Sequence, residues 1–466
     1  MFWNKNKNTA AGAKASDMVG AGTPVKFNSV DFRDGQQSLF ATRFTTQEMI
    51  PLLERFDQIG FECMEMWGGA TFDVCVRFLK EDPWDRLRIF KKYVKNTPIK
   101  MVLRAQNLVG YKAYPDDVVE SFVEKAAANG VDIFLIFDAL DDLRNCETAF
   151  KAVKKAGKRI EGSIQYNISP FHTLEKRVEN AKQQVAMGAS AIHIEDMAGL
   201  MTPTSAYDLV SALKKECNVP ISLHCHCTGG MAHMAYWEAI RAGVDSLDVC
   251  VSALSGGPSL PPVESLIAAL AGTTRDSKID LGHFGIINDY IKQLRINHAD
   301  TESKLIGVDV GCLQHQVPGG MLSNLENQLR GMGMYERLPE VLAEVTKVRE
   351  DMGYPPLATP SSQMCGAQST FNVLTGKRYL TVPNEMKDYC RGMYGKAPGP
   401  ISEDLMEAAL HGEKPMTGRP ADYLSPGMET ARAESAGYAR TEEDVVTYAL
   451  FPNTAIDLFK TKYRLG

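Results

Sequence analysis

Short apolar runs rich in β-forming residues alternate with helical segments over roughly the first 250 positions, at a period of about 30 residues, the length of a strand–helix–strand unit. Four of the runs are VKFNSVD ending at Asp31, ECMEMWG at Trp67, IKMVLR ending at Arg104 and IFLIFD ending at Asp138. Four more follow: RIEGSIQY to Tyr166, SAIHIED at Glu195, VPISLHCH to His226 and DSLDVCV at Val251. The intervening TTQEMIPLLERFDQIG, DDVVESFVEKAAANG and TLEKRVENAKQQVAMG have helical period and stop at glycine, as a C-cap requires. Eight such units with right-handed crossovers close into a (β/α)₈ TIM barrel, whose active site lies at the C-terminal ends of the strands. A doubly wound open sheet is the competing arrangement, but the glycine-rich phosphate fingerprint it needs after the first strand is missing.

The rhythm sets the expected domains. Residues 1–22 are polar, small and unpatterned and read as a flexible arm; 23–285 read as the barrel. From there LSNLENQLRGMG, RLPEVLAEVTKVREDMG, SEDLMEAALHG and TEEDVVTYALF are helical, giving an expected helical domain at 286–466 that covers the barrel mouth. The net charge of −6, with both signs spread along the chain, offers no footprint for nucleic acid. No apolar run reaches the ~18–20 residues of a spanning helix and no signal-peptide core opens the chain, so a cytoplasmic protein is expected. The ten cysteines form no repeated CxxC pairs, which argues against disulfides and against a four-cysteine zinc site.

Chemistry is concentrated at the strand ends. His224 and His226 stand two apart in LHCH, so on an extended strand both imidazoles share a face and can ligate one metal, while Cys225 and Cys227 face the other way. Such a pair is as often structural as ligating, but a barrel-strand end is where ligands belong. Asp34 in DFRDGQQS can supply a carboxylate to the same point or can simply serve a turn. Arg104, ending the third strand, with Gln37 past the first, is suited to clamping a substrate carboxylate; its structural alternative is an ion pair with Asp138.

The motifs DFRDGQQSLFATR, EMWGGATFDVCVRFLKEDPWDRLR, LRAQNLVGY, HIEDMAGLMTP, LHCHCTGGMA, HQVPGGMLSNLENQL and ATPSSQMCGAQSTFNVL together resemble the carboxyltransferase domain of biotin-dependent pyruvate and oxaloacetate enzymes, over about residues 25 to 460. RPADYLSP and TEEDVVTYALFP resemble most the stand-alone carboxyltransferase subunit of transcarboxylase and the oxaloacetate decarboxylase alpha subunit. The resemblance implies a divalent metal (zinc, cobalt or manganese) on Asp34, His224 and His226. It also implies a 2-oxo acid held by Gln37, Arg104 and Tyr111, and a proton passed between biotin and the substrate enol by Thr359. The helices after HQVPGG correspond to the part that funnels carboxybiotin into the mouth.

Three positions depart from the family pattern. Where relatives carry KDMAG, with a carbamylated lysine on the metal, this chain has Glu195 in HIEDMAGL; a glutamate already bears a carboxylate but on a shorter stem, so its ligation requires the strand end or the ion to move. RDGQQS stands for the common RDAHQS, and Ala105 replaces a frequent glycine. The leading expectation is therefore a carboxyltransferase acting on pyruvate and oxaloacetate. A non-catalytic scaffold or a paralogue of altered specificity is the alternative that Glu195 motivates, and a biotin-independent lyase or aldol-type barrel is a weaker one. No AMKM-type attachment sequence is present, so biotin is expected on a separate carrier protein. The resemblance further implies a homodimer or larger homo-oligomer, in a complex that in some relatives includes a membrane decarboxylase subunit.

Overall fold

The computed structural model describes residue 19, residues 22–305 and residues 307–464. The expected arm at 1–22 lies outside the described residues apart from positions 19 and 22; Val19 is buried against the barrel core. The strands β1 (Lys26–Ser29), β2 (Cys63–Gly68), β3 (Ile99–Leu103), β4 (Ile133–Ile136), β5 (Arg159–Gln165), β6 (Ala191–Asp196), β7 (Ile221–Cys225) and β8 (Ser246–Val249) pair in sequence order into a closed parallel barrel. β1 closes on β8 with Asn28 opposite Asp248. All eight runs read from the sequence are strands, and closure excludes the open-sheet alternative.

One helix returns the chain after each strand: α1 (Thr46–Asp57), α2 (Pro83–Tyr93), α3 (Asp116–Ala128), α4 (Glu147–Lys155), α5 (Leu174–Met187), α6 (Pro203–Glu216), α7 (Ala232–Arg241) and α8 (Val263–Leu270). Local chemistry marks their ends. Thr45 and Glu48 form a reciprocal capping box before α1, Asp82 and Thr202 cap helices that begin with proline, and Gly188 ends α5 in the left-handed conformation at φ +117°.

Past the barrel come α9 (Phe284–Asn297), α10 (Gly319–Gly331), α11 (Leu338–Asp351), α12 (Ser361–Thr375), α13 (Asn384–Cys390), α14 (Glu403–Leu410), α15 (Met428–Ser435), α16 (Glu442–Leu450) and α17 (Pro452–Tyr463). Their apolar faces divide between two cores. Val317 to Leu410 build a core of their own, joined from the barrel by Leu140. Phe284, Ile287, Ile291 and Leu294 of α9, and Met428 to Phe459 of the last three helices, instead join the barrel's apolar shell. Trp84 Nε1 donates to Thr447 Oγ1 at 2.9 Å and Tyr114 Oη to the Leu450 carbonyl at 3.0 Å, which fastens those helices to the barrel wall. A third, small cluster joins Val102, Leu135, Phe137 and Met197, from the C-terminal ends of the strands, to Ala358. The loop before α12 therefore sits on the barrel mouth. Among the described residues no helix is long and apolar enough to cross a membrane.

The barrel interior is polar where barrels of this kind are usually filled by branched apolar side chains. Lys100 Nζ, fully buried, lies 3.6 Å from Glu65 Oε2 and 3.5 Å from both Glu161 Oε2 and Asp248 Oδ1. His193 Nε2 is 3.4 Å from Asp248 Oδ2. Apolar strand residues such as Phe27, Met64 and Leu103 belong instead to the core shared with the surrounding helices.

Candidate active site

β7 places His224 and the residue just beyond its end, His226, on the same side, and their Nε2 atoms approach to 3.0 Å. Asp34, in the tight turn Asp31–Gly35 after β1, brings Oδ2 to 3.5 Å from His224 Nε2 and 3.7 Å from His226 Nε2. All three side chains are buried and form one of the two compact His/Asp groups found among the described residues. The other, His193, His224 and Asp248, shares His224 and has the Lys100 ammonium against its carboxylate, an unfavourable setting for a cation.

The outer nitrogens of both histidines are engaged. His224 Nδ1 meets Asp248 Oδ2 at 3.0 Å and His226 Nδ1 meets the Pro258 carbonyl at 2.6 Å. A carbonyl or ionised carboxylate only accepts, so each Nδ1 carries a hydrogen and each Nε2 is turned toward Asp34. Burial lowers the His226 pKa to about 4, which keeps that imidazole neutral. Burial opposes ionisation of Asp34, but Arg33, whose Nη1 is 2.8 Å from Oδ2, and the two histidines hold its carboxyl well below the usual range. Ser38 Oγ donates to Asp34 Oδ1 at 2.6 Å. Two imidazole Nε2 atoms and a carboxylate converging on one point are a donor set suited to zinc, cobalt or manganese.

Glu195 does not enter that compact group. At the end of β6 it stands opposite His224 in the strand ladder, and its Oε2 accepts from Ser163 Oγ at 2.9 Å and from Gln165 Nε2. Its charge still reaches the site, favouring the protonated forms of both Arg33 and His224.

Arg104 is buried at the end of β3, and the alternative pairing with Asp138 is not formed. Its Nη1 donates to the carbonyls of Val109 (3.0 Å) and Gly110 (3.1 Å), and its guanidinium carbon lies 5.6 Å from the Tyr111 ring centre. Asp138 instead accepts from the Leu140 and Asp142 amides and from Asn145, organising its own loop, because the chain turns away there before it can reach Arg104. No carboxylate pairs with Arg104 among the described residues; the neighbouring Asp73 is taken by Arg77 at 2.6 Å and by the Tyr111 hydroxyl at 2.8 Å. Gln37 is half-buried with Oε1 lacking a hydrogen-bond partner. Thr359, half-buried, follows Ala358 on the mouth. Cys225 faces away from the histidines, its Sγ 3.2 Å from Asp196 Oδ2, and all ten cysteines are free and buried.

Sequence reading missed the residues that hold this group in place: Arg33, Lys100, Glu65, Glu161, His193 and Asp248. The signal was charge inside apolar strands, as in IKMVL and SLDV, which only a polar barrel interior accommodates.

Residues 24–291 match the family described as HMGL-like, and residues 312–466 the conserved carboxylase domain. A pyruvate carboxylase subunit from Methanocaldococcus jannaschii is 50% identical over 440 residues, covering 94% of this chain and 78% of that protein. The methylmalonyl-CoA carboxyltransferase 5S subunit of Propionibacterium freudenreichii subsp. shermanii is 45% identical over 435 residues, covering 92% and 86%. The carboxyl transferase domain of Rhizobium etli pyruvate carboxylase, solved with pyruvate and biocytin, superposes with a TM-score of 0.91 at 31% identity, covering 96% of this chain and 79% of that one.

Proposed function

The chain belongs to the family of biotin-dependent carboxyltransferases, and on that premise we propose that it moves a carboxyl group between a 2-oxo acid of the pyruvate and oxaloacetate type and biotin borne by a separate carrier protein. The observation that carries this reading is the convergence of Asp34, His224 and His226 at the C-terminal end of the barrel, the face on which Arg104 also lies. Those three side chains would hold a divalent cation, which when bound would supply positive charge favouring an oxyanion on the C2 oxygen of the substrate.

The chain's own residues do the rest. Arg104, with no carboxylate of its own to pair with, binds the substrate carboxylate, and its two carbonyl contacts keep the guanidinium from swinging out. The half-buried Gln37 side chain donates from Nε2 to a second oxygen of the 2-oxo acid. Tyr111, fixed by Asp73, closes the side beside Arg104. The Thr359 hydroxyl passes the proton between the C3 carbon of the 2-oxo acid and the ureido nitrogen of biotin, in the direction opposite to the carboxyl group. Ala358 and the apolar cluster around it exclude water from the mouth, which protects the labile carboxyl group in transit. Glu195, held by Ser163 and Gln165, adds negative charge near the group and would become a further ligand only if the end of β6 moved.

The test is carboxyl transfer with pyruvate, oxaloacetate and 2-oxoglutarate, using free biotin and a biotinylated carrier, alongside metal analysis of the purified protein. One zinc, cobalt or manganese ion per chain and biotin-dependent turnover are expected. Thr359→Ala is expected to abolish transfer while leaving fold and metal content intact, and an undiminished rate in that variant defeats the assignment.

A further inference from the structure

Arg349, in the last turn of α11, is 4% exposed and has no carboxylate within ion-pair distance among the described residues. Its neighbours in charge are only Cys365 and Tyr354, and burial disfavours its cationic form. A buried guanidinium without a counter-ion is costly, and here the cost is met by neutral acceptors. Nε donates to the Pro355 carbonyl at 3.0 Å and Nη1 to Gln316 Oε1 at 2.9 Å, with the Ile168 carbonyl at 3.5 Å; Nη2 has no partner. Gln316 Oε1 also accepts the Ile168 amide at 3.2 Å.

These contacts tie together pieces of chain that are far apart in sequence. Ile168 belongs to the loop after β5, and that loop leads back to the barrel through Asn167 Nδ2, which donates to the Gln165 carbonyl at 2.9 Å, and through Gln165, whose side chain holds Glu195. Pro355 opens the segment that carries Thr359. Beyond it Leu357 is buried in the helical core, Ala358 on the barrel mouth, and Ser361 Oγ donates to the Ala358 carbonyl at 2.7 Å. A methionine or leucine would fill the volume of Arg349, but no apolar side chain can satisfy any of the three acceptors.

We propose that Arg349, with Gln316, is a positioning residue that latches the Thr359 segment to the loop after β5 and so sets where the Thr359 hydroxyl stands over the barrel mouth. The proposal rests on the reading that Thr359 transfers the proton, and it adds the device that places it.

The experiment compares Arg349→Met, Arg349→Lys, Gln316→Leu and Thr359→Ala in the full chain. Displacement of the hydroxyl by about an ångström corresponds to a fall in kcat of roughly a hundredfold in Arg349→Met. The KM for the 2-oxo acid and the metal content stay at parent values, because Arg104 and the metal-binding group are untouched. Arg349→Lys, keeping one donor, recovers part of the rate. Parent-like turnover in Arg349→Met, or a rise in KM or loss of metal alongside the fall in kcat, each overturns the latch. If Arg349→Met does not fold, Gln316→Leu decides: a fall in kcat at unchanged KM supports the latch and an unchanged rate refutes it. Full activity in Thr359→Ala strikes the underlying assignment, a different outcome from any of these.

Discussion

Asp248 Oδ2 accepts the Nδ1 hydrogen of His224 at 3.0 Å across the β7–β8 pair, while its Oδ1 accepts from Asn28 Nδ2 at 2.9 Å and lies 3.5 Å from Lys100 Nζ. One carboxylate thus orients an imidazole of the candidate metal group and anchors the charged interior of the barrel. Burial opposes its ionisation, but Lys100 and the histidines hold it far below the usual carboxylate range.

Asp248→Asn keeps the shape and can still accept from Asn28, but it removes the charge that fixes the His224 tautomer. Affinity for zinc or cobalt is expected to fall about 10- to 100-fold, read by chelator competition. An unchanged dissociation constant shows that His224 is oriented by something else.

Lys100 is the cation shared by Glu65, Glu161 and Asp248. Lys100→Met leaves those carboxylates facing one another in a dry interior, a loss of about 3 to 5 kcal/mol. Urea unfolding at neutral pH is expected to show a much lower midpoint. A parent-like midpoint means that water or a proton compensates the charge.

Arg104→Lys retains the charge but not the fork that bonds the Val109 and Gly110 carbonyls while facing a substrate carboxylate. The KM for the 2-oxo acid is expected to rise roughly tenfold or more, with metal content unchanged. Steady-state kinetics showing parent KM and reduced kcat alone point to a role for Arg104 outside substrate binding.

Asp138 is buried at the end of β4, and burial followed by repulsion from Asp142 raises its pKa to about 7 despite three hydrogen bonds to its carboxylate. The folded protein therefore holds this proton more tightly than the unfolded chain does. The stabilisation is complete below the ordinary aspartate value near pH 4 and is lost as the pH rises through about 7. Melting temperatures measured across that range are expected to shift in favour of Asp138→Asn relative to the parent as the pH increases. A constant difference at all pH values refutes the raised pKa.

The barrel and much of its site were legible because they depend on local periodicity. Alternation along an extended strand puts His224 and His226 on one side whatever surrounds them, and the strand–helix rhythm with its capping residues sets the order of the units. Asp34 and Arg104 were singled out because they sit at or just past strand ends, where a barrel gathers its chemistry. The helical part was legible as helices, but not the division by which Val317 to Leu410 form a separate core while Met428 to Phe459 join the barrel.

What the sequence by itself determined was therefore which residues share a strand face and which polar side chains stand at strand ends. Only the tertiary structure decided which of those faces meet. Asn28 and Asp248 are brought together across 220 positions and Arg349 and Ile168 across 181, and the polarity of the barrel interior emerges only when the charged faces close on one another. Glu195 illustrates the limit: its place in the ladder followed from the strand, but whether it joined Asp34 and the histidines or was held by Ser163 and Gln165 depended on side chains from a neighbouring strand. A strand's period specifies direction, whereas a distance between groups on different strands is set by how the whole sheet closes.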